Sequence, residues 1–199
     1  MTDPDIRKKI IEAATYLFGV EGYASTSTRS IALRAGVNIA SLNYYFKSKK
    51  GLFDEVVKKI RDEFHQKIRE ISLEPGLDTS KFTLKIYQTM KADPSRLLNH
   101  FKLFLDSSLQ CDEIEPAPVG IEKLGFFLEK ELNPKVPEAE RKWAGHAIFS
   151  YIMHTAVLSS TEVGKASVEK IVGTDEKALE NYLIKLVETI IRDLNRSYP

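Results

Sequence analysis

The chain predicts an all-α fold in two parts, a small head of three helices and a larger helical body. Three observations carry this. Apolar residues recur every three to four positions along the chain, and no stretch shows the strict alternation of a half-buried strand. Capping residues, glycines and prolines punctuate the pattern at helix-length intervals. Charge is unevenly placed: residues 1–61 hold 11 Lys/Arg against 6 Asp/Glu, an excess of five, while the whole chain is only +1, so the remainder is net −4.

The first helix is predicted from about Pro4 to Glu21, with Asp3 as its cap and Pro4 in the first turn. Ile10, Ala14, Leu17 and Phe18 share one face and form its buried stripe. Gly22 suits a left-handed residue after the helix, and Tyr23 can fold back on the stripe. Ser27 caps a short second helix, Thr28 to Ala35, whose inward residues are Ile31, Ala32 and Ala35. Gly36 makes the turn and Val37 plugs the space between helices. Asn38 caps a third helix, about Ile39 to Tyr45, with Leu42 and Phe46 facing the core. Ser48 caps a long helix that begins at Lys49, with Leu52, Phe53, Val56 and Ile60 as its stripe. Continued to about Ile71, before Pro75-Gly76, it spans roughly 35 Å and belongs to both parts.

The body is predicted as about five further helices. Asp93-Pro94 is a cap plus first-turn proline, and Pro116, Pro118, Asn133-Pro134 and Pro137 break the chain. Thr174 caps the last helix, with Asp175 and Glu176 in its first turn and Arg192 and Arg196 in its last, as the helix dipole favours. In that helix Leu179, Leu183, Leu186, Ile190 and Leu194 make a stripe that Tyr182, Val187 and Ile191 widen. Between about Pro137 and Val163, Trp143, Ala147, Ile148, Tyr151 and Ile152 form one stripe, and Phe149, Met153 and Val157 lie on another side. Helices apolar on two sides need cover on two sides. These last two long segments are therefore expected to build a two-fold, four-helix interface between two copies of the chain.

The segment Thr26 to Lys49, TSTRSIALRAGVNIASLNYYFKSK, is the most informative stretch. Two short helices joined by a glycine turn, the second crowded with polar and aromatic side chains, is the arrangement that reads a DNA major groove. With Leu42 and Phe46 buried, Ile39, Ala40, Asn43 and Tyr44 project outward and Ser41 lies at the edge. Asn43 can pair with an adenine edge or a phosphate, and Tyr44 offers a hydroxyl to phosphate and a ring to a thymine methyl. Thr28, Arg29 and Lys47 are candidate phosphate partners. Asn38 and Tyr45 flank this surface and complete the third-helix set.

Residues 4–60 resemble the amino-terminal domain of the TetR family of bacterial transcriptional repressors. The matching positions are Leu17, Phe18, Gly22, Tyr23, Thr26, Ser27, Ile31, Ala32, Ala35, Gly36, Val37, Leu42, Tyr45, Phe46, Lys49 and Leu52. The resemblance implies a helix-turn-helix DNA-binding domain over 1–48 and a helical effector-binding and dimerisation domain over 49–199. It also implies a homodimer on a double-stranded DNA operator, with half-sites about one helical turn, roughly 34–36 Å, apart. It makes Lys49 a phosphate contact. Ile39 stands where many relatives have a lysine and Asn43 where many have a tyrosine, so the base-reading pattern is not transferable from any one relative.

In the body, Tyr87, Met90, Leu97, Phe101, Phe104, Phe126 and Phe127 are candidates to line a cavity for a hydrophobic or aromatic effector, with Tyr151 beside them. No metal or other cofactor is expected: His146 and His154 are eight residues apart on a helix, about 12 Å along its axis, and neither His100 nor Cys111 completes a ligand cluster. A single cysteine excludes an intrachain disulfide. No apolar run reaches membrane-spanning length and MTDPDIRKK carries no signal-like apolar segment, so a cytoplasmic location is expected. Nucleophile elbows, phosphate-binding glycine loops and paired His/Asp sets are missing from the sequence, which argues against an enzyme. The expected function is a repressor released from its operator by an effector; the alternative is an activator, or a regulator that answers to a protein partner.

Overall fold

The computed structural model describes residues 3–108, 119–172 and 176–199. Cys111, Pro116, Pro118, Thr174 and Asp175, and the side chains of Asp3 and Phe104, lie outside what is described. Among the described residues there are ten helices and no strand: α1 (Asp3–Glu21), α2 (Thr28–Ala35), α3 (Ile39–Phe46), α4 (Lys49–Ser72), α5 (Thr79–Lys91), α6 (Pro94–Ser108), α7 (Val119–Glu131), α8 (Glu138–Ser159), α9 (Glu162–Val172) and α10 (Glu176–Ser197). Two units form, Met1–Glu63 with Leu98–Ile114, and Phe64–Leu97 with Glu115–Pro199. The division runs through α4 and again through α6.

The first unit is built on the expected stripes. Ile10, Ala14, Phe18, Ile31, Leu42, Leu52 and Val56 are all fully buried together. Each of the larger side chains among them contributes about 1.5–3 kcal/mol of apolar burial. Phe53 meets Phe18 edge-on, with ring centroids 5.2 Å apart, and Tyr23 closes the cluster at 4.7 Å from Phe53. Leu103 of α6 packs on this same core. Arg7 of α1 pairs with Glu55 of α4 at 2.7 Å.

The second unit packs α5, α7, α8 and α10 around Phe82, Ile86, Tyr87, Leu124, Leu128, Ile148, Ile152, Leu183 and Val187. Polar clips close its ends. The Thr79 backbone N–H and hydroxyl both donate to the Glu131 carboxylate, tying the start of α5 to the end of α7. Asn195 of α10 accepts the Asn133 N–H at 2.6 Å and donates to the Glu131 carbonyl at 3.1 Å.

Several expectations change. α1 begins at Asp3, one residue before the expected start at Pro4. Among the described residues six helices follow α4 rather than about five, because the segment expected to run to about Val163 breaks at Ser160. There the Thr161 hydroxyl accepts the Gly164 N–H at 3.0 Å and starts α9. Gly164 lies so close to the Leu158 carbonyl that any side chain would collide with it. The expected α8 stripe also divides: Ile148 and Ile152 are buried, whereas Trp143 is 67% and Tyr151 43% exposed. A helix turns about 100° per residue, so residues at 143 and 148 do not share a face.

Candidate nucleic-acid interface

Local chemistry sets the helix-turn-helix. Ser27 accepts the Ser30 N–H at 3.0 Å and Ser30 returns the bond to the Ser27 N–H at 3.2 Å, a reciprocal cap on α2. Gly36 takes φ +65°, where a side chain would be strained, and lets the Val37 N–H reach the Ala32 carbonyl at 3.0 Å. Asn38 then caps α3 by accepting the Ala40 N–H at 2.9 Å.

One side of α3 is given to the core, with Leu42 wholly and Phe46 almost wholly buried. The other side is open. Tyr44 is 75% exposed, Ile39 is 42% exposed, Ala40 and Asn43 are exposed, and Ser41 lies at the margin. Tyr44 stands edge-on against Tyr45, ring centroids 5.1 Å apart, which steadies the outward ring. Tyr45 itself is partly buried against the head core, so its ring is packing more than surface. The Asn38 carboxamide oxygen is engaged as a cap.

The flanking cations divide into two kinds. Arg29 and Lys47 are exposed and, among the described residues, in no ion pair. Lys47 occupies φ +61°, ψ −39°, and the Ser48 N–H donates to the Phe46 carbonyl at 2.6 Å across it, a strained three-residue turn between α3 and α4. Arg34 instead lies over the Tyr16 ring at 3.5 Å. Lys49 departs from expectation. It does not project outward: its ammonium donates to the Tyr23 carbonyl at 2.9 Å and the Thr26 carbonyl at 3.0 Å. Nothing in helical periodicity reveals a bond between residues 26 apart, so sequence reasoning missed it.

The expected effector residues separate. Tyr87, Met90 and Phe127 are buried in the second unit, with Leu97 packed against the same core. Phe126 is corrected: it is 50% exposed, with the Lys130 ammonium 3.9 Å over its ring, because the buried face of α7 is centred on Leu124, Phe127 and Leu128 and Phe126 lies beyond its edge. Tyr151 is likewise at the surface. Phe101 is partly buried and belongs to the first unit. Thr83, one turn before Tyr87, is fully buried, and its hydroxyl has no hydrogen-bond partner among the described residues. No group of three His, Cys, Asp or Glu side chains able to hold a metal occurs among the described residues. No described helix is long and apolar enough to cross a membrane.

Comparison with known proteins matches this geometry. The family described as "Bacterial regulatory proteins, tetR family" matches residues 10–56, from the core of α1 through α3 into α4. The transcriptional regulator LmrA of Bacillus subtilis (strain 168) is 31% identical over 149 residues, 72% of this chain and 70% of LmrA. The chain belongs to the TetR family. It is a transcriptional regulator of TetR type, a helix-turn-helix DNA-binding protein and not an enzyme. The probable regulator YttP of the same organism is 43% identical over 58 residues, which spans 29% of this chain and 28% of YttP. Among solved structures, the multidrug binding protein EbrR, complexed with imidazole, superposes with a TM-score of 0.60 at 19% identity. That alignment covers 94% of this chain and 90% of EbrR, and it establishes the shared fold. TetR homologues bind DNA operators and small-molecule effectors and typically dimerise.

Proposed function

We propose that this TetR-family chain is a homodimeric repressor that leaves its operator when a small, largely apolar effector binds the second unit. The observation that carries the DNA half is the solvent-facing Ile39, Ala40, Asn43 and Tyr44 surface on a helix whose other side is wholly committed to the core. Thr28, Arg29 and Lys47 flank it as phosphate partners. Supporting the dimer is the outer face of α8 and α10, where Trp143, Tyr151 and Tyr182 stand exposed, Trp143 stacked on His146 with planes 6° apart. A second copy covers these apolar rings.

Supporting the effector half is the buried aromatic core around Tyr87, Met90 and Phe127 and the unpartnered Thr83 hydroxyl within it. EbrR, of the same fold, is a multidrug binding protein. An effector releases DNA only by binding the DNA-incompetent arrangement more tightly than the competent one. The test is fluorescence anisotropy with duplexes from the chain's own upstream region, across a salt series, with and without a panel of apolar and aromatic compounds. Binding that weakens steeply with salt is expected. A compound that raises the melting temperature and lowers DNA affinity together is also expected. Coupling in only one of the two measurements sinks the effector half.

A further inference from the structure

We propose that Lys49 is a positioning residue, which orients the amino-terminal end of α2 toward DNA by clamping the α1–α2 loop and does not itself pair with a phosphate. The inference rests on the DNA-binding reading of the head and adds the means by which its surface is held.

A lysine in the first turn of a helix is unfavourably placed against the helix dipole, so it needs another source of stabilisation. Lys49 has one. It is half-buried, and its Nζ donates to the Tyr23 carbonyl at 2.9 Å and the Thr26 carbonyl at 3.0 Å. The Tyr23 ring lies beneath the ammonium, its centroid 4.3 Å from Nζ. An ammonium has three N–H donors and is drawn to the negative face of an aromatic ring. Two carbonyls and a ring satisfy it from within the protein.

The acceptors are what matters. Tyr23 and Thr26 bracket the loop that leads from α1 into α2. Gly22 turns the chain at φ +82°, the buried Thr26 returns its hydroxyl to the Gly22 carbonyl at 2.8 Å, and Lys49 ties down both ends. The Thr26 carbonyl belongs to the peptide plane that enters Ser27, the α2 cap. Holding that plane sets the direction of the Ser27 cap and of Thr28 and Arg29 behind it. Lys49 also begins α4, so one side chain makes the α2 entry and the α4 start a single rigid corner.

Positioning and phosphate contact give opposite results when the charge is kept. Lys49→Arg preserves a cation for phosphate, but a planar guanidinium does not reproduce a compact ammonium over two carbonyls and a ring. Affinity for the upstream duplex is measured by anisotropy well below each variant's melting temperature, so that the folded protein is compared. Lys49→Arg and Lys49→Met are both expected to lose about tenfold, the order of a lost charge-assisted hydrogen-bond pair. In an Arg29→Ala background, Lys49→Met is expected to leave the slope of log affinity against log salt unchanged. A direct phosphate contact would lower that slope by about 0.9. Amide exchange at residues 27–30 is expected to accelerate in Lys49→Arg, which carries the test alone if the methionine variant does not fold. Wild-type affinity in Lys49→Arg, a lowered slope, or unchanged exchange at residues 27–30 overturns the proposal. A wild-type protein that ignores the upstream duplex defeats the operator reading instead, while the exchange result still decides the clamp.

Discussion

Gly51, in the first turn of α4, lies against the Phe46 carbonyl that closes α3, where an added Cβ would stand 2.5 Å from the oxygen. α3 and α4 therefore meet at a corner with no room for a methyl group. Gly51→Ala is expected to push α3 off α4, destabilising the head by about 1–3 kcal/mol, the usual cost of overpacking. Urea denaturation and DNA affinity are expected to fall together. Unchanged stability would mean the corner gives way freely.

Asn43 and Tyr44 face solvent and neither is part of the core. Replacing either with Ala is expected to change stability by no more than about 0.5 kcal/mol. Loss of operator affinity by about 1–3 kcal/mol is expected for a base contact. Thermal melts and binding isotherms on the same preparations separate the two, and unaltered affinity removes the residue from the interface.

Leu186 is only half covered, and it lies one turn from the exposed Tyr182 on α10. Leu186→Asp and Trp143→Glu each place a charge on the face assigned to a second copy, where an unpaired charge is costly to bury. Sedimentation is expected to show monomers or aggregates in place of a dimer. An intact dimer for both variants moves the interface elsewhere.

Asp78 caps α5, accepting the Lys81 backbone N–H at 2.7 Å with the Lys81 ammonium 3.1 Å away. Burial pushes its carboxyl up, but the N–H and ammonium of Lys81 outweigh this and hold it below the ordinary value of 3.8. A carboxyl held lower in the folded than in the unfolded chain stabilises the fold above the unfolded value and ceases to do so as pH falls through the folded one. Asp78→Ala is expected to cost about 1 kcal/mol at neutral pH. The gap from wild type should close as pH drops below 3.8. Urea titrations at about pH 7 and about pH 3 check this; an equal gap at both assigns the loss to packing rather than charge.

The head was legible in the amino-acid order because its signals are local. Ser27, Gly36 and Asn38 each act on backbone groups within a few residues, so α2 and α3 fall where those residues put them. The outward direction of Asn43 and Tyr44 follows from Leu42 and Phe46 by helical period alone. The body was less legible because its helices are apolar on more than one side, and period alone does not choose which side is covered. Tertiary packing put Phe127 inside and Phe126 out, and it divided Ile148 and Ile152 from Trp143 and Tyr151. It also ended α8 at Ser159, where Gly164 fits against the Leu158 carbonyl. Sequence by itself thus determined where α3 begins, ends and points. Only the folded chain decided that Lys49 turns inward, because its partners at Tyr23 and Thr26 come within reach once α1 and α4 close on one core.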